Sequence, residues 1–459
     1  MILKRVPKIH LLFLLLVLFL TACSKDSSPY GEAKGGEGSA VAVPDMSEQG
    51  AVSDTPEPMV TESDAPTPDP QPLSGDYEGV DWHRWRGPGN NGISPETAWT
   101  HQWPGGRPRQ LWKADVGTGY SSLSVSKGRV FTMGFEGGKD RVVCLEFETG
   151  REIWVFEYPA QLEPNMYEGG PNATPTVDGD HVYTFGKQGD LHCLDVASGR
   201  KVWSANVKEF GAKQPSWGFS GSPLVERDLV YVNAGTAGAA YDKKTGARVW
   251  ANGSDGAGYG SPLTADFGGR PQVVLFTGSY LLGVEPETGK GLWSAPWETS
   301  HKVNAADPVL VGNAVFVSSG YGTGAGVFNM GSGKPAKLWT NDKLKNHFNP
   351  SVHLDGHIYG IDGNNGQNNA LVCMDVRNGR EKWRERRVGF GSLIASPKRL
   401  IVLTERGELM VLAANPDRVQ PLARGQVLGG QCWTAPVLSQ GRILCRNASG
   451  DVVCVDVRP

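Results

Sequence analysis

Two hydrophobic patterns divide this chain. Residues 11–20 form one unbroken apolar run, "LLFLLLVLFL". Beyond residue 110 the apolar positions instead come in short stretches, many alternating with polar ones, as in "HVYTFG" (181–186) and "LHCLDV" (191–196). Alternation with period two sets every second side chain on one face, and glycine-bearing clusters between such stretches mark tight turns. The pattern predicts short antiparallel strands joined as meanders. Each unit opens with a strand led by proline: "TPTV" at 174–177, "SPLV" at 222–225, "SPLT" at 261–264, "DPVL" at 307–310 and "APVL" at 435–438. Proline has no N–H to give a ladder, so this first strand belongs at a sheet edge.

Each unit also ends alike, with glycine four residues before tryptophan. "ETGREIW" closes at Trp154, "ASGRKVW" at Trp203, "KTGARVW" at Trp250, "ETGKGLW" at Trp293 and "RNGREKW" at Trp383, with a looser "GSGKPAKLW" closing at Trp339. These tryptophans are 49, 47, 43, 46 and 44 residues apart. A period in the forties signals a propeller or an array. The glycine permits the turn into the outermost strand, and the indole bridges neighbouring blades that are too thin to bury it alone. Eight four-stranded blades are expected, all-β, over 109–459. The last (432–459) runs out after three strands at "VVCVDV", and blade seven ("VLAANPDRVQPLA") lacks glycine and tryptophan. The orphan strand "RQLWKADV" (109–116), carrying Trp112, is predicted to pair with 451–457 and close the ring.

Composition adds the compartments of the chain. Lys4, Arg5 and Lys8 precede the apolar run, which is too short to span a bilayer comfortably and reads as a secretory signal core. It ends in "LTAC", which resembles a bacterial lipobox and implies a lipid-anchored Cys23 after removal of 1–23. Serine at 24, in place of aspartate, suits the outer membrane facing the periplasm. Residues 24–79 hold twelve Asp or Glu against Lys25 and Lys34, a net −10, with little apolar surface to bury. They read as a disordered acidic tether, followed by a leader at 80–108. The rest is nearly neutral, which excludes a strongly basic nucleic-acid binder. A monomer is expected.

The segment "CLDVASGRKVW" (193–203) resembles the tryptophan-docking motif of the pyrroloquinoline-quinone-type propeller repeat, with Asp195, Gly199 and Trp203 in its places. The match recurs at Asp242, Gly246 and Trp250 and at Asp375, Gly379 and Trp383, while Glu146 and Glu285 replace the aspartate elsewhere. The leader "WHRWRGPGNNGIS" (82–94) is similar to one that precedes such propellers in bacterial envelope proteins. The resemblance implies an eight-bladed quinoprotein-like propeller and extends to lipid-anchored outer-membrane assembly factors.

The repeats serve as an internal control. A residue found at one position in most blades is architecture, so Asp195, Asp242, Asp375 and Asp456 read as turn formers. Cys144, Cys193, Cys373 and Cys454 likewise read as buried fillers. A two-residue turn at Ser449-Gly450 would set Cys445 opposite Cys454 at disulfide distance, with a bridge and two thiols both open. "GYGTGAG" (320–326) reads as a glycine hairpin, and "DGNNGQNN" (362–369) as a polar hairpin that lacks the closing glutamate of a calcium loop.

Residues that break the pattern remain: Tyr120, Trp217, Phe219, Tyr259, Asn304, His347, Asn349 and Trp433, all just ahead of channel-lining strands. Placed at one mouth of the channel, they would hold a peptide or small ligand. Two functions compete. One is a non-catalytic scaffold binding envelope proteins or peptides, with no cofactor, metal or catalytic residue. The other is a dehydrogenase oxidising alcohols or sugars with pyrroloquinoline quinone and calcium. The latter resemblance implies adjacent cysteines and a catalytic aspartate, and no two cysteines are adjacent here.

Overall fold

Alternating apolar stretches become thirty-two strands in eight four-stranded antiparallel sheets, a β-propeller. The computed structural model describes residues 79–164, 167–364 and 368–459; Cys23, the signal core and the tether up to residue 78 lie outside them. Blades one to seven each take four consecutive strands, at 124–159, 176–206, 224–251, 263–296, 309–341, 352–385 and 391–426. The eighth takes Val437–Ser439, Arg442–Arg446 and Asp451–Asp456, and its outer strand is Arg109–Asp115 from the other end of the chain. Trp112 pairs with Cys454 there, so the ring closes by the predicted borrowing.

A buried cation reinforces that closure. Arg446, fully buried in blade eight, donates to the carbonyls of Ser121 (2.7 Å), Met133 (2.6 Å) and Gly117 (3.0 Å) and to Thr132 Oγ1 (2.7 Å), all in or leading into blade one. Held by neutral oxygens, its guanidinium is drawn down by burial to about 9.

Blade-to-blade docking follows the motif, and the glycine has a second duty. Gly150, Gly199, Gly246, Gly289 and Gly379 all sit near φ +70°. A Cβ on Gly199 would also lie 2.6 Å from the ring of Trp154 in the preceding blade. Trp112, Trp203, Trp250 and Trp339 press on Gly150, Gly246, Gly289 and Gly379 in the same way. Each indole N–H then donates to a carbonyl of the next blade: Trp112 to Phe147, Trp154 to Val196, Trp203 to Lys243, Trp250 to Pro286, Trp339 to Val376 and Trp383 to Asn415. Trp293 departs from this and bonds Gln272 of its own blade; the blade it faces carries Pro335 at the motif glycine's place. In all eight blades the outermost strand slips register by one residue, and in seven the slip adjoins the tryptophan. Cys144, Cys193, Cys373 and Cys454 each pair with a docking tryptophan, which accounts for their shared position. The motif aspartates accept from the turn that follows, as when Ser198 N donates to Asp195 Oδ1 at 2.8 Å.

The disulfide geometry is corrected. Cys445 pairs with Val453 and Cys454 with Leu444, because the register runs out at Arg446 opposite Val452, one residue off from the pairing a two-residue turn would set. The one-residue change turns the two thiols to opposite faces of the blade, and both are free and buried.

The leader crosses one end of the ring. Its backbone bonds the inner strands of blade one (Val125 N to Trp82 O), blade two (Val177 N to His83 O) and blade seven (Ala395 N to Gly92 O), each at 2.8 Å. Glu96 accepts from the Gln440 and Gly441 amides of blade eight. The channel is thereby floored at this end. Among the described residues no helix is long and apolar enough to cross a membrane.

Candidate functional site

The floored channel leaves a cup of about 580 Å³ at the other end. Its floor is Trp85 of the leader, whose indole N–H donates to Asp307 Oδ2 at 2.5 Å. Asp307 Oδ1 accepts from the Ser261 amide at 2.7 Å. Burial raises this carboxyl above its usual range, opposed by the Arg86 guanidinium beyond it. Arg86 is buried too, donates to the carbonyls of Asn91 and Ser351, and is drawn down by burial to about 10.

Aromatic side chains make the wall. Tyr120 stacks on Trp433 with centroids 5.3 Å apart and meets Tyr167 edge-on at 5.4 Å. Phe348 packs against Trp433 at 5.2 Å, and Trp217 meets Tyr259 edge-on at 6.0 Å. Across the cup, Tyr321 lies between His301 and His347, its hydroxyl 3.1 Å from His347 Nε2. Burial holds the His347 imidazole down at about 4, so it is neutral at pH 7. The Tyr120 hydroxyl donates to Glu168 and adjoins Gln431, and the Trp433 N–H donates to Glu405 at 2.7 Å. Asn172 bonds the Tyr167 hydroxyl and Ser220 on the same wall.

Six of the blade-specific residues line this cup: Tyr120, Trp217, Tyr259, His347, Asn349 and Trp433. Asn349 has its polar atoms engaged, donating to Gly391 O and accepting from Ser392. Asn304 is a correction. It is fully buried behind the wall, donating to the carbonyls of Thr277 and Trp297 and accepting from Ser319, so it braces loops and faces no ligand. Phe219 is buried against Phe185 and also falls outside. Trp85, Tyr167, His301, Tyr321, Phe348 and Asp307 are additions. Tyr321 sits in the "GYGTGAG" hairpin at φ +56°, an aromatic in a turn where a bulky side chain is rare. That was its signal.

The wall chemistry tests the quinone expectation. Pyrroloquinoline quinone carries several carboxylates and is held beside a metal ion, so its site needs cations. Among the described residues neither lysine nor arginine lines this cup, and the one carboxylate among them would repel the cofactor. Among the described residues no group of three or more His, Cys, Asp and Glu is placed to hold a metal. The residues present do not fit that group.

Comparison with known proteins places the architecture. The family described as "Outer membrane protein assembly factor BamB" matches residues 163–385, spanning blades two to six. The tetrathionate hydrolase of Acidithiobacillus ferrooxidans is 25% identical over 232 residues, 46% of this chain and 44% of that one. The outer membrane protein assembly factor BamB of Burkholderia pseudomallei is 27% identical over 212 residues, 43% of this chain and 50% of that one. The chain thus spans half or less of the length of these curated relatives. Among solved structures, the quinohemoprotein alcohol dehydrogenase of Comamonas testosteroni superposes with a TM-score of 0.63 at 14% identity, covering 82% of this chain and 80% of that one, a likeness of fold. The docked blades and the closure make the chain an eight-bladed propeller, and these matches show that its repeats resemble those of the assembly factor BamB.

Proposed function

We propose that this protein is a non-catalytic scaffold, anchored in the outer membrane through a lipidated Cys23, that holds segments of other envelope proteins at the aromatic cup. The observation that carries this reading is the cup's wall, rich in rigid rings and amides and lacking the cations that a quinone dehydrogenase would require. Rings supply contact area at low entropic cost, and a rim fixed by eight blades loses little order on binding. The BamB relative supports the assembly role by resemblance.

A pull-down from detergent-solubilised envelopes tests it, using the full lipidated chain and Trp217→Ala with Tyr321→Ala. Both rings are only half-buried, so the double variant should fold normally while losing at least about 90% of the captured envelope protein. Undiminished capture would move the interface off the cup. Turnover of an alcohol on adding quinone, calcium and an electron acceptor would replace the scaffold with an enzyme.

A further inference from the structure

Three rings of the cup share a feature that packing does not require. Tyr120, Trp433 and Trp85 each donate their polar hydrogen to a carboxylate, of Glu168, Glu405 and Asp307 respectively. These acids belong to three different settings, the loop between blades one and two, a turn of blade seven and the lead-in to blade five. They therefore do not arise from the repeat. A phenol or indole that hydrogen-bonds an anion becomes richer in electrons, and its face attracts a cation more strongly. Among the described residues no lysine or arginine side chain lines the cup to offset this.

Two cations lie behind the wall, both held by neutral groups. Arg86 lies beyond the floor, where its Nη2 donates to both the Asn91 and the Ser351 carbonyls while Nε and Nη1 are buried without a partner. Lys187 bonds the Gly169 carbonyl and the Tyr167 hydroxyl, with its ammonium 4.8 Å from the Tyr167 ring centroid. His347, held neutral with one nitrogen beside the Tyr321 hydroxyl, adds no positive charge.

We infer that the cup's occupant is a cation carried on a polypeptide, a lysine or arginine side chain of the bound segment inserted among Tyr120, Trp433 and Trp85. This rests on the cup being the binding site and adds the chemistry of what enters it. At about 580 Å³ the cup has room for one long basic side chain together with flanking backbone, for which Asn172 and Asn364 supply amides.

The test uses the full chain and four probes: an acetylated, amidated Gly-Ser-Arg-Ser-Gly peptide, the same peptide with citrulline or glutamate for arginine, and tetramethylammonium. Binding is followed by calorimetry at low salt. Citrulline keeps the shape and most of the hydrogen bonds of arginine and loses the charge. The arginine peptide should bind at least about tenfold more tightly than the citrulline peptide, and the glutamate peptide more weakly still. Glu405→Gln, which keeps an acceptor for the Trp433 N–H, should weaken the arginine peptide several-fold and leave the citrulline peptide unchanged. Equal binding of arginine and citrulline peptides would overturn the cationic occupant while leaving the cup as the site. Binding of tetramethylammonium without either peptide would overturn the polypeptide source, and no binding of any probe would overturn the inference outright. If the arginine preference holds and the cup double variant still captures envelope protein, the scaffold reading fails at this site and the cation site stands.

Discussion

The rim and the mouth of this propeller use the same side chains for opposite purposes. At the rim, Trp154 lies on Gly199 and gives its N–H to a backbone carbonyl of the next blade, and most of the other docking tryptophans do the same. At the mouth, Trp433 and Tyr120 stack on each other and give their hydrogens to side-chain carboxylates that no other blade repeats. A backbone carbonyl is available in every blade, so the rim contact can recur with the fold. A carboxylate must be placed by sequence, one site at a time. Repetition therefore marks what the ring needs, and its interruption marks residues placed one site at a time.

The sharpest way to break the rim is at its closure. Deleting 109–115 removes the outer strand of blade eight and Trp112, strips Cys454 of its partner and exposes a hydrophobic edge. The cost should be of the order of 5 kcal/mol or more, read as a collapse of the denaturation midpoint and as aggregation. An unchanged midpoint would mean that seven blades and a fragment suffice.

A single methyl group tests the docking floor. Gly199→Ala must hold a side chain at φ +71° and set its Cβ 2.6 Å from Trp154. Strain and overpacking together should cost about 3 kcal/mol in chemical denaturation. Gly179→Ala is the control, with φ +59° and open space around the new methyl, and should cost only about 1 kcal/mol. Equal losses would make the glycine a turn residue and nothing more.

These two regions differed in how far the sequence disclosed them. The strands, the eight blades and the borrowed strand were legible because turns and tryptophans return with one period, so each copy checks the others. The register at the last hairpin was not. Whether Ala448 joins the strand or the loop changes no hydrophobic pattern, yet it turns Cys445 and Cys454 to opposite faces. Six of the cup's lining residues were found by asking which residues break the repeat. Asn304 broke it too, but an amide that braces three loops and an amide that faces a ligand look alike in sequence. Trp85 and Asp307 meet across 222 residues, and no local pattern announces such a pair.

Two histidines carry the comparison to its finest scale. His192, in the third strand of blade two, lies between the rings of Phe156 and Tyr158, and His347 stands at the mouth. Burial holds both imidazoles down at about 4 against 6.5 unfolded. A base whose folded value is depressed gives its full stability above pH 6.5 and loses it as pH falls toward 4. Between pH 7 and pH 5 each histidine should therefore cost about 2 kcal/mol. Beside His192, however, Asp140 is raised by burial to about 6 and accepts from Tyr158. A raised acid works the other way, because the folded state holds its proton more tightly and gains about 1 kcal/mol over the same interval. The rim cluster thus nearly cancels itself, whereas burial alone sets the His347 value. Relative to the parent protein, His347→Gln should reduce the acid loss by about 2 kcal/mol in urea titrations at pH 7 and pH 5. His192→Gln should reduce it by a similar amount, and His192→Gln with Asp140→Asn by only about 1 kcal/mol, since the opposing gain is removed as well. A double variant that matched His192→Gln would show that Asp140 titrates normally, and the compensation assigned to the rim would be absent.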